Sequence, residues 1–296
     1  MKNIIPLVLV LGIITACEKT VVQYSDEPKV TVANPLNDIT LDEGVMEATV
    51  DLSNVFTVSG NSSARVIISL QSIQNPDLVS GTVADNILTL ETHIGFTGAS
   101  EVEIRGEWSG YVAYETFILK VNPIQSDEAL NSAVSYFQQG DYLNAENFFL
   151  IVISKPNEDL KPEAYMGLGF SQMRNDDAFS AYQTLQDGLN ISPDNIDIQA
   201  GLSLLEYATR QNYQAAITYA RSVLAAAPDY IFSYDTSLDK NDLLVNIALS
   251  QYLLQQWEDC IATIRDLDPA YNLDTSQNEF RTKIFQKLEE LLKTYS

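Results

Sequence analysis

A small residue returns at a near-constant interval through the C-terminal half of this 296-residue chain: Ala145, Ala181 and Ala216 are 36 and 35 positions apart, and Pro193 and Pro228 are 35 apart. Each alanine follows a polar turn: Gln139-Gly140-Asp141, Asn175-Asp176-Asp177 and Gln211-Asn212. A fourth such turn, Gln255-Gln256, leads to Cys260. Between turns the apolar residues recur with the 3.6-residue period of a helix. Two antiparallel helices approach closely only where small side chains meet. Ala133 and Gly169 fit that place on first helices, and Ala145, Ala181, Ala216 and Cys260 fit it on second helices. Proline after a second helix ends it, because it lacks an N–H and clashes with the preceding turn. A hairpin of this size cannot bury its apolar face alone, so neighbouring hairpins must stack.

The stretch Tyr165, Leu168-Gly169, Ala181, Leu185, Gly188 and Pro193 resembles the tetratricopeptide repeat, whose Trp, Leu-Gly, Ala, Phe, Ala and Pro these residues match in place. The resemblance spans 127–275 as an α-solenoid of about four units, the first and fourth degenerate, with residues 276–296 as a C-terminal capping helix. Ala216 and Cys260 are 44 positions apart, about nine more than one repeat. The excess falls in Ile231 to Lys240, as a longer loop or an early start to the next helix. In this family first helices line a concave, peptide-binding face. Carried over, the groove residues are Leu130, Val134 and Phe137 in unit one and Met166, Phe170, Met173 and Arg174 in unit two. Leu205 follows in unit three, and Val245, Leu249 and Tyr252 in unit four. Such a stripe is equally what a helix core looks like. An open apolar groove containing methionine suits an extended or helical peptide.

Residues 29–122 change period from 3.6 to two. Lys29-Val30-Thr31-Val32, Val66 to Leu70, Asn86 to Leu90, Glu101 to Ile104 and Thr116 to Val121 alternate, with turn residues such as Asn34-Pro35, Asn75-Pro76-Asp77 and Ser109-Gly110 between them. About seven short strands with turns every 8–12 residues predict a β-sandwich. Asn37 to Gly44, Asp51 to Phe56, Leu88-Thr89-Leu90 and Thr116 to Pro123 resemble bacterial cadherin-like, dystroglycan-type Ig-like domains. Calcium requires six to eight oxygens at one place. The stretch after Phe56 and the hairpin around Trp108 lack the carboxylates such a site uses, so no calcium is expected. His93, the one histidine, reads as a surface residue at a strand end. Residues 123–126 read as a linker.

Lys2, the apolar run Ile4 to Ile14, and Ile14-Thr15-Ala16-Cys17 make a secretory n-region and h-region ending in a sequence that resembles the bacterial lipobox. Eleven apolar residues are too few to span a bilayer as a helix. The resemblance implies cleavage of residues 1–16, acylation of Cys17, and a lipidated tether over 17–28. With Glu18 where inner-membrane retention uses Asp, it implies the outer membrane. Cys17 is then unavailable for a disulfide, and Cys260 reads as a small buried hydrophobe.

Forty Asp and Glu against 17 Lys and Arg give a net charge of -23, which disfavours nucleic acid as a partner. One histidine excludes a multi-histidine metal centre, no nucleophile–histidine set can be assembled, and no paired, apolar-flanked carboxylates stand out. The expected protein is multidomain: an N-terminal all-β Ig-like sandwich followed by an all-α solenoid. It is neither an enzyme nor a cofactor binder. It is a lipid-anchored envelope scaffold that docks another protein in its groove, with a basic partner if charge steers it. The alternative is a glycan-binding module using Trp108, or Tyr234 and Trp257, as stacking platforms.

Overall fold

The computed structural model describes residues 28–61, 63–276 and 278–295. The signal-peptide and Cys17 expectations, and all of the tether but Pro28, lie outside the described residues.

Among the described residues the N-terminal part has nine strands rather than about seven: β1 (Val30–Val32), β2 (Ile39–Asp42), β3 (Glu47–Asp51), β4 (Phe56–Val58), β5 (Ile67–Ile73), β6 (Val79–Ala84), β7 (Ile87–Thr92), β8 (Gly98–Trp108) and β9 (Tyr111–Asn122). They form sheets of order β2-β9-β8-β5 and β3-β7-β6, with β1-β4 as a separate pair. All pairings are antiparallel except β2 with β9. Two hairpins close on two-residue turns with both residues at positive φ, Asp85-Asn86 and Ser109-Gly110. That geometry matches the right-handed twist of the flanking strands. Leu52, Val79, Leu88, Leu90, Val102, Ile104 and Leu119 make the fully buried centre.

The second part is a series of helices. They are α1 (Ser126–Gln138), α2 (Tyr142–Ser154), α3 (Lys161–Arg174), α4 (Ala178–Ile191), α5 (Ile196–Leu205), α6 (Tyr213–Ala226), α7 (Lys240–Leu253), α8 (Trp257–Leu267) and α9 (Phe280–Tyr295). The first eight pair as four hairpins. The small residues do what the spacing predicts. Ala133, Ala145, Ala181, Ala216 and Cys260 are fully buried, and a Cβ on Gly169 would lie 2.5 Å from the Leu185 side chain.

The four hairpin turns share one construction. Gly140, Asp176, Gln211 and Gln255 each sit in the left-handed region, at φ 78, 61, 55 and 58. In three hairpins the next residue caps the second helix: Asp141, Asp177 and Asn212 accept N–H groups of Asn144, Ser180 and Ala215. The turn thus demands a conformation that only glycine adopts without strain, and two of the four positions hold glutamine. Gln211→Gly and Gln255→Gly are each expected to raise the unfolding free energy by about 0.5–1 kcal/mol, since the relieved strain exceeds the added unfolded-state entropy. Gly140→Ala should move it the opposite way. Urea unfolding followed by circular dichroism reads all three.

The two parts meet at a built junction, so residues 123–126 are not a free connector. Glu43 is buried and accepts from Lys155 Nζ, just past α2, at 2.5 Å and from the Ile124 N–H at 3.2 Å. Gly44, at φ +102, lies so close to Phe148 of α2 that a Cβ there would be 2.6 Å from the ring. Gly95 packs against Ser154, and Ile94 and Ile124 join the helical core. The last helix begins at Phe280, not 276, and buries Ile284, Leu288 and Leu291 against Val245, Ala248, Cys260, Ile261 and Ile264.

Candidate functional site

The face expected to be an open groove is largely filled by the chain itself. The extra residues between α6 and α7 form a long loop, with α7 starting at Lys240. That loop folds back onto α1 and α3. Phe232, 1% exposed, stacks on Phe170 with ring centroids 4.1 Å apart and meets Phe137 edge-on at 6.2 Å. Tyr234 packs against Phe137 and Phe149 and donates its hydroxyl to Glu163 Oε1 at 2.6 Å. Tyr230 donates to Asp197 Oδ1 at 2.8 Å. Asp235 pairs with Arg174. The loop closes on itself through Phe232 N–H to the Leu238 carbonyl and Lys240 N–H to the Tyr230 carbonyl, both 2.9 Å. Burial pushes the Tyr230 and Tyr234 phenols well above their ordinary range and raises the Asp197 carboxyl. Both hydroxyls therefore stay protonated as donors.

The fourth hairpin is covered from the other side by α9. Its Phe285 approaches Tyr252 of α7 at 5.9 Å, and Tyr252 meets Trp257 edge-on at 5.3 Å. Lys287 ties α9 to Asp268 at 2.8 Å.

Between loop and last helix lies a cleft of two adjoining cavities, about 330 and 160 Å³. They share Leu204, Asp242 and Tyr295. Phe170, Met173, Arg174, Ser237 and Leu238 complete the larger. Tyr207, Val245, Asn246, Leu249 and Leu292 complete the smaller. Asp242 Oδ2 accepts the Asp239 N–H at 2.8 Å and so helps cap α7. Burial, with the nearby Asp239 charge, raises its pKa, and Arg174 opposes that. Asn246 is 4% exposed; its Nδ2 donates to the carbonyl and hydroxyl of Ser203 at 3.1 and 2.8 Å, while its Oδ1 has no partner among the described residues.

Of the expected groove residues, Phe170, Met173, Arg174, Val245 and Leu249 do line this cleft. Leu130, Phe137, Met166 and Leu205 are instead inside the helical core, at 8%, 3%, 3% and 3% exposure, and cannot meet a partner in this conformation. Val134 is half-buried against them, and Tyr252 is half-buried among the aromatics of the fourth hairpin. Leu204, Asp242, Asn246, Leu292 and Tyr295 were not anticipated. The available signal was the aromatic run Tyr230, Phe232, Tyr234 within a loop, because three aromatics in a loop need a surface to cover.

The residues considered as sugar platforms are already engaged. Tyr234 is turned inward, Trp257 carries Arg281 5.1 Å above its ring and Phe280 at its edge, and Trp108 packs on the β core. His93 is partly exposed after β7, with Nδ1 2.9 Å from the Asp77 carbonyl. Cys260 donates its thiol to the Ala248 carbonyl, and burial pushes it up to about 12, so it is held as an inert thiol.

No protein-family model matches the chain, and no curated protein matches it. Solved structures similar to it include "MamA RS-1 ArsTM double mutant", at 18% identity and TM-score 0.43 over 57% of this chain and 95% of that one. "MamA 41-end from Desulfovibrio magneticus RS-1" is alike at 18% and 0.43, over 57% and 96%. A tetratricopeptide repeat protein from Parabacteroides merdae ATCC 43184 gives 17% and 0.41, over 57% of this chain and 61% of that chain. Superpositions of this extent assign no function.

Proposed function

We propose that this protein is a lipid-anchored, non-catalytic docking scaffold of the cell envelope, in which a cadherin-like Ig-like sandwich carries a tetratricopeptide-type solenoid. The observation that supports docking most is the apolar cleft framed by α3, α5, α7, the 229–239 loop and α9. Its walls come from five separate segments, so a ligand there contacts a shape that only the assembled solenoid presents. The anchor reading rests on Ile14 to Cys17, and acyl chains at Cys17 would hold the molecule at a membrane surface durably. Placement at the outer membrane rests on Glu18 alone.

The test uses half-buried cleft residues whose change leaves the core intact. Met173→Glu combined with Leu249→Glu should reduce recovery of a cross-linked or co-purifying partner at least tenfold, with an unchanged circular dichroism spectrum. Full recovery would defeat the docking reading. Cys17→Ser should move the protein from the membrane to the soluble fraction, and a variant that still sediments with membranes would refute the anchor.

A further inference from the structure

We infer that the occupant of the cleft is a basic segment of the partner protein, with a lysine or arginine beside Asp242 and flanking apolar side chains on Met173 and Leu249. This inference rests on the docking reading above. Asp242 lines both cavities, so a ligand spanning them passes beside it. It has no ion pair among the described residues, because the one cation on the cleft wall, Arg174, is taken by Asp235. Asp239 lies alongside and adds to the negative potential.

The surroundings select the same sign. Residues 126–275 hold 22 Asp and Glu against 7 Lys and Arg, 22 − 7 giving a net -15. Such a field accelerates the approach of cationic segments and repels acidic ones. An acidic peptide would place like charge beside Asp242. A purely apolar one would strip water from the Asp242 carboxylate and return no ion pair for it.

The test displays random 12-residue peptides to the full chain. It keeps those that bind it and fail to bind Met173→Glu. The kept peptides should be enriched in Lys or Arg flanked by apolar residues. Chosen members, measured by fluorescence anisotropy, should bind Asp242→Asn at least tenfold more weakly, as loss of a charge-assisted contact entails. Asparagine can still accept the Asp239 N–H, so the α7 cap survives; an unchanged unfolding midpoint checks this. Replacing the peptide's lysine by norleucine should cost wild type tenfold and Asp242→Asn little. If no peptide separates wild type from Met173→Glu, the docking reading itself fails. If peptides separate but show no cationic preference, or bind Asp242→Asn as tightly, docking stands and the basic-segment inference is overturned.

Discussion

Phe232→Ala lowers the unfolding free energy of the helical part by about 3–5 kcal/mol, the range for truncating a fully buried phenylalanine. The ring is 1% exposed and contacts Phe170, Phe137 and Tyr234, which belong to three separate segments. Removing it opens a void that the two hydrogen-bonded tyrosines, held by Asp197 and Glu163, cannot collapse to fill. The neighbouring Ile231, 58% exposed, provides the contrast: Ile231→Ala changes stability by no more than about 0.5 kcal/mol. Urea unfolding monitored at 222 nm reads both. If the two variants unfold alike, the loop is not part of the core, and the concave face is open after all.

Gly167→Ala is expected to destabilise by about 1–3 kcal/mol, although glycine to alanine within a helix ordinarily gains about 1 kcal/mol. Two effects compete, and distance decides between them. An added Cβ would lie 2.1 Å from Cζ of Phe149 and 2.4 and 2.6 Å from its Cε atoms. Phe149 is fully buried on α2, so the ring has nowhere to turn. Either α2 and α3 separate or the ring leaves its rotamer, and both exceed the propensity gain. Phe149→Leu in the same chain should recover part of the loss, so that the double variant is more stable than the sum of the single effects. Thermal unfolding of the four proteins gives that coupling. Additive losses would show that the contact is not the cause.

These two residues show which parts of the molecule could be read from the sequence. The repeat could be, because Ala145, Ala181, Ala216 and Cys260 face their partner helix within one hairpin, and local contacts recur at the repeat period. The long strands could be for the same reason: Val102, Ile104, Phe117 and Leu119 alternate with residues on the other face over many positions. Strands of three to five residues, such as β3 and β4, carry too few alternations to register. The Asp85-Asn86 turn passes as ordinary polar sequence until both of its φ angles are known to be positive. Contacts such as Phe137 with Phe232 and Glu43 with Lys155 join residues about a hundred positions apart and have no periodic trace. The cleft falls in this last group. Its two lids, the inserted loop and α9, are far apart in sequence. The sequence pattern marked Met173 and Leu249 as one groove without showing that most of the groove is occupied.

The most direct test places a photo-cross-linking amino acid at Met173 or at Leu249, and as a contrast at Phe179, which is 74% exposed on α4 away from the cleft. The full chain is irradiated in the cells that make it, and the adducts are sized and sequenced. Docking in the cleft predicts one and the same protein adduct from Met173 and Leu249 and none of it from Phe179. Adducts from Phe179 alone, or none from either cleft position, would contradict the account.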